Sequence, residues 1–190
     1  MDSLLNEIKQ CSVCEKFISP NPVLSIGENS KIIVIGQAPG RIVHQTGIPW
    51  NDKSGDNLRK WLGVDKTTFY DKDKFGIMPM GFCFPGTGKT GDLPPRPECA
   101  PLWHAKLLSM VNEIKLFILV GQYAQNYYLK YHAKDTLTDT VKNFKEYLPT
   151  YFALPHPSTR NNIWMAKNKW FEYEVLPELK NTVQNLLNKS

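Results

Sequence analysis

Two short runs constrain this chain most: Lys31–Ile35 (KIIVI) and Leu116–Val120 (LFILV), each stopped by a glycine, Gly36 and Gly121. Neither alternates polar with apolar residues, so neither can turn one face to water. Each reads as a strand buried on both faces. Phe75–Met78 and Tyr151–Leu154 are shorter candidates of the same kind. Between them the apolar spacing turns helical: at 3–10, with Leu4, Leu5 and Ile8 on one face; after Ser54, which can cap a helix, with Leu58, Trp61 and Leu62 closed by Gly63; at 98–112; after Gly121; and at 166–188, with Phe171, Val175, Leu179 and Leu186. Pro177 is expected to kink the last of these. Strands that alternate with helices predict a parallel sheet in an α/β sandwich. A length of 190 residues suits one domain spanning 1–190. Sites in such sheets form at the carboxyl ends of strands, which directs attention to the loops 36–53 and 155–165. A third segment, 79–97, holds five prolines and four glycines and reads as a long ordered loop.

Composition narrows the class. With 42% hydrophobic residues and a mean hydropathy of −0.37, the chain has enough apolar side chains for a core. No apolar run reaches the length of a membrane span. The N-terminus, MDSLLNEIKQC, lacks the basic-then-apolar order of a secretory signal, so a cytoplasmic, monomeric protein is expected. The net charge of +5 permits contact with phosphates without demanding it.

Cys11, Cys14, Cys83 and Cys99 follow the spacing C-x2-C-x68-C-x15-C. Without a secretion signal, disulfides are not the expected use. Two pairs converging on one metal explain the close C-x2-C better than scattered core thiols do. Zinc takes four thiolates, and iron–sulfur clusters tolerate wide spacing, so the spacing leaves both open.

Pro85–Thr90 (PGTGKT) resembles the end of a phosphate-binding loop. Cys83 stands where the first glycine belongs, however, and Leu93-Pro94-Pro95-Arg96-Pro97 forbids the helix that should follow. The segment is left as either a DNA-phosphate contact through Lys89 or a solvated tether between Cys83 and Cys99. Gly36-Gln37-Ala38-Pro39-Gly40 follows a strand directly, where glycine lets a ligand approach the backbone. His156 lies between Pro155 and Pro157 just past another strand, on a loop stiff enough to hold a hydrogen-bonding ring at a fixed point.

These pieces together resemble the uracil-DNA glycosylase superfamily, and within it the iron–sulfur-containing family 4. Gly36–Gly40 (GQAPG) matches a first motif that family 4 writes GEAPG. Thr46–Trp50 (TGIPW), with Ser54, Gly55 and Leu58 behind it, is similar to that family's G-x-P-F and the S/A-G-x-x-L that follows. Pro155–Ser158 (PHPS) matches the HPS motif of the loop that enters DNA. The cysteine order is also similar, and the likeness runs through residues 8–165. It implies a three-layer α/β/α sandwich around a four-stranded parallel sheet, a [4Fe–4S] cluster on Cys11, Cys14, Cys83 and Cys99 with zinc as the alternative, and DNA as the partner. It also implies excision of a flipped uracil or other damaged base. His156 and Gln37 would be catalytic, His156 bonding the leaving base and Gln37 orienting water. Gly36, Ala38, Pro39 and Trp50 would bind the base, with Trp50 stacking on it. Ser158, Arg160 and Lys89 would contact DNA, with the loop tip near Arg160 filling the gap in the helix. Two positions depart from the family: Gln37 replaces a glutamate, and Pro79 stands near the place of an asparagine that reads the pyrimidine edge. Asp52, close to Trp50, is a candidate replacement carboxylate.

Overall fold

In a parallel sheet, an apolar run without alternation sends successive side chains to opposite faces, and each face needs cover. The computed structural model, which describes residues 1–188, has this arrangement. Strands β1 (Ile32–Ile35), β2 (Phe75–Ile77), β3 (Leu116–Val120) and β4 (Tyr151–Leu154) form one sheet in the order β2-β1-β3-β4. All three pairings are parallel, with Ile32 level with Phe75 and Leu116, and Phe117 level with Tyr151. Ile32, Val34, Ile118 and Phe152 enter one core; Ile33, Ile35, Leu119 and Ala153 enter the other.

Helices cover both faces. The first core receives α3 (Lys53–Leu62) through Leu58 and Leu62, α4 (Lys66–Tyr70) through Phe69, and α9 (Leu176–Asn188) through Leu179 and Val183. The second receives α1 (Asp2–Lys9) through Ile8, α5 (Cys99–Leu108) through Trp103 and Leu107, and α6 (Gln122–Leu129) through Ala124 and Leu129. Each fully buried side chain of this size contributes about 1.5–3 kcal/mol, before the entropy of ordering it. The result is the expected three-layer sandwich. No helix among the described residues is long and apolar enough to cross a membrane.

Several boundaries differ from the sequence reading. The N-cap of α3 is Asp52 rather than Ser54: the Asp52 carboxylate accepts from the Gly55 amide at 2.8 Å. The loop 36–53 contains a short helix, α2 (Arg41–Thr46), and α7 (Leu137–Lys142) lies between β3 and β4. The expected helix at 98–112 ends at Leu108. The segment 166–188 is not continuous. Helix α8 (Asn162–Lys167) stops at Asn168, a π-helical turn runs over Phe171–Val175, and α9 begins at Leu176. Pro177 follows the π-helical turn directly, inside helical backbone that runs without a break from 170 to 188, so the irregularity expected at Pro177 takes the form of that turn.

The strand order reverses between β1 and β3, so a crevice is expected at the carboxyl ends beside them.

Candidate active site

A cleft of about 470 Å³ opens at that edge of the sheet. It is lined by the loop after β1 (Gly36–Gly40), by Pro49, Trp50 and Asp52, by Pro79 after β2, and by His156, Ser158, Arg160 and Asn161 after β4. Gly36, Gln37, Ala38, Pro39, Trp50, His156, Ser158 and Arg160 thus meet in one place, although the sequence scatters them. Lys89 does not line the cleft. It is exposed at the tip of a hairpin over the mouth.

Trp50 is the most constrained residue of the wall. Its φ is +55°, a left-handed conformation that costs a bulky residue about 1–3 kcal/mol unless its surroundings impose it. The surroundings do so on four sides. Arg59 Nη1 donates to the Trp50 carbonyl at 3.2 Å, and the Tyr70 hydroxyl donates to the Pro49 carbonyl at 2.8 Å. A β-carbon at Gly55 would collide with the Trp50 carbonyl oxygen, and one at Gly36 would lie 2.8 Å from the indole. Gly36 therefore makes room for Trp50 as well as lining the cleft.

The His156 ring faces Trp50 with centroids 5.5 Å apart and planes tilted by 34°. Its loop is pinned through carbonyls: Asn161 Nδ2 donates to the His156 oxygen at 2.7 Å and Asn57 Nδ2 to the Pro157 oxygen at 3.0 Å. The ring makes no hydrogen bond among the described residues, so it is free to donate one. Burial lowers its pKa, with the charges of Asp52 and Asp92 opposing, so the ring is neutral at pH 7. Ser158 Oγ accepts from the Arg160 amide at 3.2 Å.

Residues 86–93 form a hairpin. Thr87 and Asp92 pair antiparallel, and the Leu93 amide donates to the Gly86 carbonyl at 2.9 Å. Three side chains tether it across the cleft mouth: Gln37 Nε2 donates to the Leu93 carbonyl at 3.3 Å, Arg41 Nη2 to Thr87 Oγ1 at 3.2 Å, and Arg160 Nη1 to the Thr90 carbonyl at 3.2 Å. Gln37 Nε2 is spent on the hairpin, while its Oε1 has no partner among the described residues. Arg160 reaches inward to Thr90 rather than projecting from the loop tip.

Near Pro79, where a pyrimidine-reading side chain is missing, the structure has a buried histidine instead. His104 is 2% exposed; its Nε2 lies 3.1 Å from the Pro79 carbonyl and its Nδ1 2.7 Å from the Tyr128 hydroxyl. A carbonyl only accepts, so Nε2 carries the proton and Nδ1 accepts from Tyr128. Burial pulls the His104 pKa down to about 4.

The four cysteines line a second, apolar cavity with Val13, Ile18, Phe82 and Leu102. All four are free thiols. The Phe82 amide donates to Cys99 Sγ at 3.3 Å. Burial pushes the Cys99 thiol up to about 12; the Phe82 amide opposes the rise, and the other three thiols add to it. Among the described residues no three such groups stand close enough to grip one metal ion. The thiols surround a cavity rather than a point. Four sulfurs around an apolar cavity match the donor set of a thiolate-held cluster.

Sequence reasoning missed Asn57, Asn161, Arg59, Tyr70 and Asp92. Asn57 and Pro157 are 100 positions apart, and no local pattern marks such a pair. Asp92 had one weak signal, the glycine-rich hairpin itself.

With this geometry in place, comparison with known proteins gives two likenesses. The sequence model of the uracil DNA glycosylase superfamily matches residues 24–180, well over half of the chain. A solution NMR structure described as a candidate uracil DNA glycosylase from Methanosarcina acetivorans is similar at 16% identity and a TM-score of 0.47, over 88% of this chain and 99% of that one.

Proposed function

Because the chain belongs to the uracil DNA glycosylase superfamily, we propose that it is a DNA glycosylase of base excision repair, acting on uracil or another damaged base that it flips out of DNA. The observation that carries this reading is the His156–Trp50 pair: a neutral ring with an uncommitted donor, packed against a strained and buttressed indole on the wall of a cleft of about 470 Å³. Trp50 stacks on the flipped base. As the C1′–N1 bond breaks, negative charge gathers on the base, and His156 donates to its oxygen. A fixed neutral donor in such a site contributes about 2.7–4 kcal/mol, roughly a hundredfold to a thousandfold in rate. Lys89 at the hairpin tip and the amides near Ser158 contact phosphates, which makes binding fall as salt rises. Gln37, Arg41 and Arg160 keep the hairpin over the site.

Cys11, Cys14, Cys83 and Cys99 would hold a [4Fe–4S] cluster, which would anchor both ends of the 83–99 segment and take no part in the chemistry. Their convergence on one apolar cavity supports this. Anaerobically purified protein should be brown; a colourless protein with one equivalent of zinc would identify a zinc site instead.

The function is tested by incubating the protein with oligonucleotides that carry uracil, hypoxanthine, xanthine or mismatched bases, then cleaving abasic sites with alkali. A strand break at one of these bases is expected. Tight, salt-sensitive binding with no break on any substrate would make the protein a DNA-binding relative without glycosylase activity.

A further inference from the structure

Gln37 stands where family 4 carries a carboxylate, and its amide is committed to the Leu93 carbonyl at 3.3 Å. The reaction proposed above still develops positive charge on the sugar, and an anion in the cleft would stabilise it. Two carboxylates line the cleft, Asp52 and Asp92. Asp52 spends one oxygen on capping α3 through the Gly55 amide at 2.8 Å, which holds that carboxylate at the helix end. Asp92 spends neither. Its carboxylate makes no hydrogen bond or ion pair among the described residues. The two arginines tied to the hairpin donate to Thr87 and Thr90 and leave Asp92 uncompensated. Its Oδ2 lies 3.5 Å from the point where a Gly40 β-carbon would stand, against the motif loop. The three tethers on the hairpin fix it there. An exposed aspartate held at a cleft by tethers that avoid its own charge is placed to meet a cation that arrives with the substrate.

We propose that Asp92 supplies the carboxylate that position 37 lacks, facing the sugar of the flipped nucleotide while Gln37 acts as a positioning residue for its hairpin. This rests on the glycosylase reading of the cleft. The C1′–N1 bond breaks, and its electron pair leaves with the base, whose oxygen accepts from His156. Positive charge on C1′ and the ring oxygen is met by Asp92. Water adds its oxygen to C1′, and the proton it loses passes to the Asp92 carboxylate and on to solvent, from which the departed base anion is protonated. The products are the free base and an abasic sugar.

The test needs no turnover. Two duplexes are compared, one with a pyrrolidine abasic analogue, cationic at neutral pH, and one with a neutral tetrahydrofuran analogue. The wild-type protein should prefer the cation by about tenfold or more. Asp92→Asn should erase that preference with affinity for the neutral analogue unchanged, and Asp92→Glu should restore part of it. Asp92 is exposed, so both variants should fold, which melting curves would check. A wild-type protein without preference, or a preference unchanged in Asp92→Asn, overturns the assignment even if bases are excised. An Asp92-dependent preference without excision of any base would place Asp92 against a cationic sugar but overturn the glycosylase reading, and the catalytic role with it.

Discussion

The cleft and the cysteine cavity share one segment, 79–97, yet are built in opposite ways. The cleft is walled by polar and aromatic groups held by specific contacts: Trp50 at positive φ, His156 on a loop pinned by two asparagines, and a hairpin tethered at three points. The cavity is walled mainly by apolar side chains and the four cysteine sulfurs, together with Arg96 and Glu98. Pro79 and Thr90–Asp92 belong to the cleft, whereas Phe82, Cys83 and Cys99 belong to the cavity. The difference teaches how one segment can divide its work. Its anchored ends fix position through burial, and its middle delivers charge and hydrogen bonds where water and substrate can reach.

The largest effect should come from breaking the cleft wall. Gly55→Ala drives a methyl into the Trp50 carbonyl and should cost about 3 kcal/mol or more of stability, with loss of DNA-base recognition, as read by denaturant unfolding and binding. A stable variant with normal binding would show that the Trp50 turn is not held as described.

The cavity side has an acid limit of its own. His104 follows Trp103 on α5 and stacks on Phe82 with centroids 5.6 Å apart. Its folded pKa is about 4 against an ordinary 6.5. Between those values the unfolded chain binds the extra proton, so the contribution is full above about pH 6.5 and is lost as pH falls toward 4. By pH 5 the loss should reach about 2 kcal/mol. His156, lowered by burial, adds in the same direction. His104→Gln should flatten the acid limb of a stability-versus-pH curve; an unchanged limb would shift the cause to other groups.

The smallest effect separates the two regions most cleanly. Tyr70→Phe removes the bond to the Pro49 carbonyl and should cost about 1 kcal/mol. It should weaken base recognition without altering the reactivity of the four cysteines toward a thiol reagent in the folded protein. Faster labelling of the cysteines in this variant would mean that the two regions are coupled.

The sheet was legible because its strands are uninterrupted apolar runs: 116–120 and 151–154 match to the residue. Helices α2 and α7, of six residues each, were not, since fewer than two turns leave no periodicity to read. The residues of the cleft were legible as a set through family resemblance, yet several of their tasks were not. Gly36 accommodates Trp50, Gln37 and Arg160 hold a hairpin, and Asp52 caps a helix. Each of these follows from a contact between residues that only the sheet brings together, apart from the Asp52 cap. That cap is local; Ser54, two positions further on, is an equally good capping type and obscured it.

The central claim is that neutral His156 carries the departing base. It is tested most directly by measuring free base released in a single turnover, with DNA affinity measured alongside, for the wild-type protein and His156→Ala on whichever substrate the wild type cleaves. The account expects His156→Ala to bind the DNA as tightly and to release base about a hundredfold to a thousandfold more slowly. Equal release by the two proteins would contradict it.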